Sequence, residues 1–372
     1  MAKTRASSDV TRLARADLLA MAGYEPVEPT DVLARRLGIP PEKVAKLDGN
    51  ENPYGPSPKA LAALADHRGY HLYPDPLQRR AREALARHLS LGEEHIMLGC
   101  GSDELIDLLL RAVLSPGDGV VNCPPTFGMY PFSTEVCGGR VVDVPRRDDF
   151  SLDVDAISGA AKGAKVIFLC SPNNPTGNVI SRKELEALLG LGPLVVLDEA
   201  YVEFSGEQGF ASLVPERGNL VVLRTFSKWA GLAGLRAGYG VFPAPLVSLL
   251  MKIKPPYNLN LAAETAILAS LDDARALMER VRSLVEERQR LFEALQASAL
   301  LRPLPSRGNF LLCRAERVEA RRLADELARR GVFVRYFDTP RLRDYLRVSA
   351  GLPRHTEALV RALEEIHAQV EE

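Results

Sequence analysis

The sequence predicts an α/β protein: a large, mostly parallel sheet with helices on both faces, followed by a smaller α+β lobe. Three observations predict it. Seven short apolar runs between residues 95 and 242 alternate with helical patterns, the order a parallel sheet imposes because each parallel connection needs a crossover. Several runs carry few polar interruptions, as strands covered on both faces do. After Pro255-Pro256 the pattern changes to a long helical stretch and then three more strand-like runs. At 372 residues the chain exceeds the usual size of one hydrophobic core, so two lobes are expected. The divisions fall at 1–50, an N-terminal arm that contributes to the small lobe; 51–256, the large domain; and 257–372, an interdomain helix with the small C-terminal domain.

Taken in order, residues 9–50 read as a short helix, a Pro-rich arm (Pro26, Pro29) and a second helix ending near Gly38-Ile-Pro-Pro41. The segment is too poor in apolar residues to fold alone and is expected to lie over another surface. From about 76 to 90, Leu77, Ala81, Ala84, Leu85 and Leu89 recur at helical spacing. The seven runs are His95–Cys100, Gly119–Pro124, Arg140–Val144, Val166–Cys170, Leu194–Leu197, Leu220–Leu223 and Gly238–Phe242. Between them, helices are signalled at Ser102–Leu114 and Ser181–Leu189, the second opening on a Ser181-x-x-Glu184 capping box. A helical stretch from about Leu261 to Leu295 sets Leu277, Val281, Leu284, Leu291 and Leu295 on one side. Phe310–Cys313, Val332–Arg335 and Leu346–Ser349 read as strands of the small lobe, with helices over roughly 316–330 and 354–369.

Composition narrows the function classes. Apolar content of 46% and charged content of 26% are ordinary for a soluble enzyme, and a net charge of −1 gives no general reason to bind nucleic acid or an anionic membrane. The five cysteines are odd in number and scattered, which predicts buried reduced thiols rather than disulfides or a metal site. No apolar signal core follows the first eight residues and no run reaches membrane-spanning length. A cytoplasmic location is the expectation.

The peptide Thr225-Phe-Ser-Lys-Trp-Ala-Gly-Leu-Ala-Gly-Leu-Arg-Ala-Gly-Tyr239 carries the chemistry. It sets Lys228 after the hydroxyls of Thr225 and Ser227 and eight residues before Arg236. That order suits an amine that condenses with an aldehyde beside a bound phosphate, gripped by the Arg236 fork. Nearby cations and desolvation lower an amine's pKa, as such a lysine needs. Asp198 ends the run Leu194-Val-Val-Leu197, where a carboxylate can face a protonated pyridine nitrogen; a helix cap or structural ion pair is the other reading. Tyr201 suits the ring hydroxyl oxygen or a half-buried core position. Asn174, in Ser171-Pro-Asn-Asn-Pro-Thr-Gly177, offers its amide to the same oxygen or closes an Asx-turn. The turn Gly99-Cys-Gly-Ser-Asp-Glu104 opens a helix, so the free N–H groups around Gly101, Ser102 and Asp103 can hold a phosphate or simply start the helix. Because acidic side chains oppose an anion, the backbone must make that contact. No single piece decides; the ordered set specifies pyridoxal 5′-phosphate (PLP).

The chain resembles the fold-type I PLP-dependent aminotransferases, and within their class-II-like branch the histidinol-phosphate aminotransferase family, from about Asp17 to the C-terminus. The resemblance is carried by Leu47-Asp-Gly-Asn-Glu-Asn-Pro-Tyr-Gly55, the Gly-Ser-Asp-Glu turn, Pro125-Thr-Phe-Gly-Met-Tyr130, the Asn174 turn, the lysine peptide, Pro256-Tyr-Asn258 and Leu346-Arg-Val-Ser349. It implies that Phe127 stacks on the cofactor ring and that Tyr54 reaches the phosphate of a partner subunit's cofactor in a homodimer. It implies that Tyr24 and Asn174 contact substrate, that Arg347 binds the carboxylate of glutamate or 2-oxoglutarate, and that Arg335 meets the phosphate of histidinol phosphate. Gly49 and Gly308 depart from a common alanine, which predicts a looser arm and a looser Asn309-Phe310 segment. The implied reaction is imidazole-acetol phosphate plus glutamate to histidinol phosphate plus 2-oxoglutarate, with Lys228, Asp198 and Tyr201 catalytic and no metal. Its rivals are an aromatic amino acid aminotransferase, a PLP lyase such as a threonine-phosphate decarboxylase, and a non-catalytic PLP-binding regulator module. The absence of an appended DNA-binding domain and the presence of Lys228 speak against the last.

Overall fold

The computed structural model describes residues 10–24 and 26–371; the expectation for the first eight residues lies outside them. Two sheets organise the chain. Twelve strands occur among the described residues: β1 (Ala45–Leu47), β2 (Ile96–Cys100), β3 (Gly119–Asn122), β4 (Arg140–Asp143), β5 (Ala164–Cys170), β6 (Leu194–Asp198), β7 (Leu220–Thr225), β8 (Ala237–Val241), β9 (Leu301–Pro303), β10 (Phe310–Ala315), β11 (Val332–Tyr336) and β12 (Tyr345–Ser349). The seven apolar runs are β2 to β8, and they form one sheet in the order β2-β8-β7-β6-β5-β3-β4. Only β8 is antiparallel to its neighbours.

Alternate residues explain why those runs are nearly unbroken. Val121, Ile167, Val195, Leu197 and Val222 pack on one face with Ile157 and Leu185. Val120, Val166, Phe168, Val196 and Val221 pack on the other with Leu105 and Leu109. A strand with both faces buried has no polar side to show. The helix Gly101–Val113 supplies Leu105 and Leu109. The helix Arg182–Leu189 supplies Leu185 and starts at the expected box, with Ser181 Oγ accepting from the Glu184 N–H and the Glu184 carboxylate accepting from the Ser181 N–H.

The second sheet has the order β1-β11-β12-β10-β9 and is backed by helices Ala320–Arg329 and Pro353–Glu371 through Leu323, Leu327, Leu359 and Leu363. The N-terminal segment carries a strand that was not foreseen. It contains the two expected helical stretches, short turns over Val10–Leu13 and Ala16–Leu19 and a helix Thr30–Leu37. It also contains β1, which pairs in parallel with β11 and so ties the segment into the small sheet. The long helical stretch is two helices, Leu261–Asp272 and Ala274–Gln296, interrupted at Asp273. The helix expected from 76 begins at Arg79, because Gln78 takes a left-handed conformation and gives its side chain to the Leu98 backbone. Helices Pro58–Asp66, Met129–Val136, Val154–Ala161 and Ala244–Ile253 were not foreseen.

All five cysteines are free thiols, but the expectation of burial holds for Cys123, Cys170 and Cys313 only; Cys137 is half-buried and Cys100 exposed. Cys100 is exposed because it sits at the end of β2, where the strand leaves the sheet. Both glycine segments are hydrogen-bonded to neighbouring elements. A Cβ at Gly308 would lie 2.6 Å from the Phe310 ring, and the Gly308 carbonyl accepts from Arg288 at 2.7 Å. The Gly49 carbonyl accepts from Lys228 at 3.2 Å. No helix among the described residues is long and apolar enough to cross a membrane.

Candidate active site

Strands β2 to β7 all end at one edge of the large sheet, and antiparallel β8 begins there, with Ala237 opposite Cys100. This edge gathers the residues singled out from the sequence. Asp198 closes β6, Thr225 closes β7, Lys228 follows three residues later, and Arg236 immediately precedes β8. Gly101 opens its helix from the end of β2. The small sheet faces the same edge, so two cavities form between the lobes. Their volumes are about 690 and 560 Å³, and they meet at Phe127, Asn174, Tyr201 and Lys228.

Ser102, Asp103, Thr225, Ser227 and Arg236 line the smaller cavity. Gly101 has φ +78°, and a Cβ there would lie 2.5 Å from Arg236 Nη2; one on Gly238 would lie 2.4 Å from the Ser102 nitrogen. Glycine at both positions lets the helix N-terminus, β8 and the arginine close on one small space. Asp103 accepts from Arg236 Nη2 at 3.0 Å. Its carboxylate therefore lines the space, countered by the guanidinium. Glu104 turns away to accept from the Cys100 N–H at 2.6 Å and from Asn258 at 2.8 Å. Thr225 Oγ1 is engaged by its own turn: it donates to the Ala237 carbonyl and accepts from the Ser227 N–H.

Asp198 is 3% exposed. Its Oδ2 accepts from the Tyr130 hydroxyl at 2.7 Å and its Oδ1 from the Ala200 N–H at 3.0 Å. Burial pushes its carboxyl up to about 6, against the pull of those two donors. Tyr201 accepts from Asn50 Nδ2 at 3.1 Å and packs edge-on to Phe310. Lys228 is half-buried, with Nζ 5.7 Å from the Tyr201 ring centre. Burial first, then the nearby Arg347 charge, brings its amine down to about 8. Arg347 is buried, donates to Asn174 Oδ1 at 2.6 Å and to the Asp48 carbonyl, and leaves Nε without a partner.

Tyr24, Phe127, Arg335 and Arg347 all line the larger cavity. Tyr54 lines neither; it stands half-exposed on a segment whose Gly55 and Pro56 carbonyls accept from Arg280. Three contributors escaped the sequence reading. Asn50, at φ 51°, orients Tyr201 and is itself held by Ser349 and Asn309. Tyr130 holds Asp198, and Phe337 lies beside Arg335 and Arg347. Asn50 and Tyr130 sit inside motifs quoted above, but nothing local marks what they touch.

The donor set fits a phosphorylated pyridine aldehyde. It offers an anion cradle closed by glycines that admit no side chain, a buried carboxylate for a ring nitrogen, and an amine held near neutrality.

Comparison with known proteins agrees. The family model for aminotransferase class I and II matches residues 42–365, and the chain belongs to that family. Within it, the chain belongs with the histidinol-phosphate aminotransferases. The Roseiflexus castenholzii protein of that name is 49% identical over 370 residues, covering 96% of this chain and 99% of the relative. The Arabidopsis thaliana chloroplastic histidinol-phosphate aminotransferase 1 is 48% identical over 356 residues, covering 95% and 85%. The solved structure of the Sinorhizobium meliloti histidinol-phosphate aminotransferase in complex with pyridoxal-5′-phosphate superimposes with a TM-score of 0.88 at 28% identity, covering 98% of this chain and 99% of that one.

Proposed function

We propose that this protein is a homodimeric, cytoplasmic, PLP-dependent aminotransferase of histidine biosynthesis. It exchanges an amino group between glutamate and imidazole-acetol phosphate, giving 2-oxoglutarate and histidinol phosphate. The observation that carries the reading is the pairing of Arg335 with Arg347, directly opposite each other on β11 and β12, in the cavity that also contains Lys228. Both amino donors are anionic, and guanidinium forks suit carboxylates and phosphates.

When bound, PLP supplies an aldehyde that condenses with amines and a ring that accepts electrons from the substrate's α-carbon. The residues do the rest. Backbone N–H groups at Gly101, Ser102 and Asp103, with Ser227 and Arg236, hold the phosphate. Thr225 shapes that turn. Asp198 would face the ring nitrogen and keep it protonated, Phe127 would cover the ring, and Asn174 and Tyr201 would hold its hydroxyl oxygen. Lys228 Nζ would anchor the cofactor and, when free, would hold and return the proton of the substrate α-carbon. An amine with a pKa of about 8 suits both directions near neutral pH. Arg347 takes the carboxylate of glutamate, Arg335 the phosphate of histidinol phosphate, and Tyr24 covers the substrate.

The dimer reading rests on uncovered apolar surface. Val10 and Leu13 are 73% and 79% exposed, and Tyr73, stacked on Tyr257, is 80% exposed; a two-fold partner would cover such surface and receive Tyr54. The domain divisions proposed, near residues 50 and 256, separate the two sheets, with β1 crossing back. The test is a half-reaction screen: the PLP form is mixed with histidinol phosphate, phenylalanine or threonine phosphate, and loss of the cofactor's visible absorbance is followed. Histidinol phosphate should react with the highest kcat/KM. Preference for phenylalanine would make the protein an aromatic aminotransferase, and release of carbon dioxide from threonine phosphate would make it a lyase.

A further inference from the structure

Four hydrogen bonds converge on Asn50, which is 1% exposed and held at φ 51°. Its backbone N–H can only donate, and it donates to Ser349 Oγ at 2.9 Å. The Ser349 hydroxyl gives its own proton to Asn50 Oδ1 at 2.8 Å. That hydroxyl makes no other hydrogen bond among the described residues, so an amide turned the other way would leave its proton without an acceptor. Nδ2 is therefore the atom that faces Tyr201, and it donates to the Tyr201 hydroxyl at 3.1 Å. Behind the turn, the Asn309 amide donates to the Asn50 carbonyl at 3.1 Å and pins the backbone.

A phenol has one proton to give. Tyr201 receives its hydrogen bond from Asn50 and donates to no group among the described residues. Burial pushes its hydroxyl well above the ordinary value, so the proton stays on the oxygen. Tyr201 lines both cavities where they meet, which leaves that proton for an acceptor bound there. We propose that Asn50 and Ser349 are positioning residues that make Tyr201 an obligate donor to the ring oxygen of the bound cofactor. The proposal rests on the PLP reading given above. A donor at that oxygen favours its anionic form, and so lowers the pH at which the oxygen and the lysine-linked nitrogen lose the proton they share.

The test is a pH titration of the bound cofactor's visible absorbance in the PLP-loaded wild type, N50D, Y201F and the double variant N50D/Y201F, each shown to be folded by its melting temperature. N50D keeps the side-chain shape and the left-handed backbone, which aspartate tolerates. It replaces the donor facing Tyr201 by an acceptor that takes the tyrosine's proton. The titration midpoint should rise by about one pH unit in N50D, the worth of a hydrogen bond to a charged group, and by a similar amount in Y201F. In the Y201F background the aspartate should add less than about half of that shift, because its route runs through the missing hydroxyl. An unchanged midpoint in N50D overturns the proposal, and so does a shift of equal size in both backgrounds, which would be the added charge alone. S349A adds no charge and frees the amide to turn its oxygen toward Tyr201. Its midpoint should also rise, and an unchanged one overturns the proposal even where N50D fails to fold. Wild-type protein that takes up no PLP would sink the cofactor reading itself, a result distinct from any of these shifts.

Discussion

Replacing Asp198 by asparagine should separate two consequences of burying a carboxylate at the end of β6. Burial lifts this group from its ordinary 3.8 to about 6. At about 1.36 kcal/mol per pKa unit, the buried charge costs the fold stripped of PLP about 3 kcal/mol near pH 8. The sign follows from the direction. A carboxylate raised in the folded state penalises folding fully above about 6, and the penalty fades as pH falls, disappearing below the unfolded value, where both states are protonated. The geometry tolerates the substitution: the amide oxygen keeps the Ala200 N–H, and Nδ2 meets the Tyr130 hydroxyl, which turns from donor to acceptor. Cofactor-free D198N should therefore be more stable than wild type near pH 8, by up to about 3 kcal/mol, with most of that difference gone near pH 4. The holoenzyme should behave oppositely. A neutral amide cannot keep the ring nitrogen charged, and losing one preorganised electrostatic contact costs about 3 kcal/mol of transition-state stabilisation, a hundredfold to roughly thousandfold in rate. Denaturant melts of the stripped proteins at the two pH values and stopped-flow half-reactions with glutamate measure the two effects. A near-normal half-reaction would mean that another residue faces the ring nitrogen, and reduced stability at the higher pH would refute the assigned cost of burial.

Other outcomes are equally definite. Lys228→Ala should leave the fold intact and abolish turnover, and borohydride treatment of wild-type protein should fix PLP to the peptide containing Lys228; labelling at another lysine contradicts the assignment. Because the amine is lowered to about 8, cofactor attachment to the stripped protein should accelerate about tenfold from pH 7 to pH 9 and level off thereafter; a rate still climbing toward pH 10 would indicate an ordinary exposed lysine. Arg335→Ala should reduce kcat/KM for histidinol phosphate on the order of a hundredfold while affecting glutamate much less, whereas Arg347→Ala should damage both; equal losses in the Arg335 variant favour an aromatic substrate. Refolding Tyr54→Ala together with Lys228→Ala should give more activity than the sum of the parents if Tyr54 serves the partner's site, since a hybrid dimer then has one whole site; no gain would place Tyr54 in its own.

The large sheet was legible because its strands are buried on both faces, so each announces itself as an apolar run ending at the ligand-binding edge. Lys228, Asp198 and Arg236 were legible for the same reason, since each stands at or just beside such a run. What escaped notice was short or long-range. Strands β1 and β9 have three residues each, too few for a periodicity. The helix Met129–Val136 contains Pro131 and Thr134, poor helix formers, and is held by the packing of Tyr130 under the sheet. The helix Pro58–Asp66 did carry a readable start, Ser57 capping Ala60 with proline in the first turn. Within the site, Tyr130 meets Asp198 across 68 residues and Asn50 meets Tyr201 across 151. Only the folded chain brings those pairs together. Phe337 was closest to discovery, two residues from an arginine already singled out, but its second contact comes from a neighbouring strand.

The most direct measurement of the central claim is transfer of the nitrogen itself. Glutamate labelled at its amino nitrogen is incubated with the PLP enzyme and imidazole-acetol phosphate, and products are followed by mass spectrometry. The label should appear in histidinol phosphate, one equivalent for each 2-oxoglutarate formed. Formation of 2-oxoglutarate without label in histidinol phosphate, or no reaction with this phosphate ester while an aromatic 2-oxo acid is aminated, would contradict it.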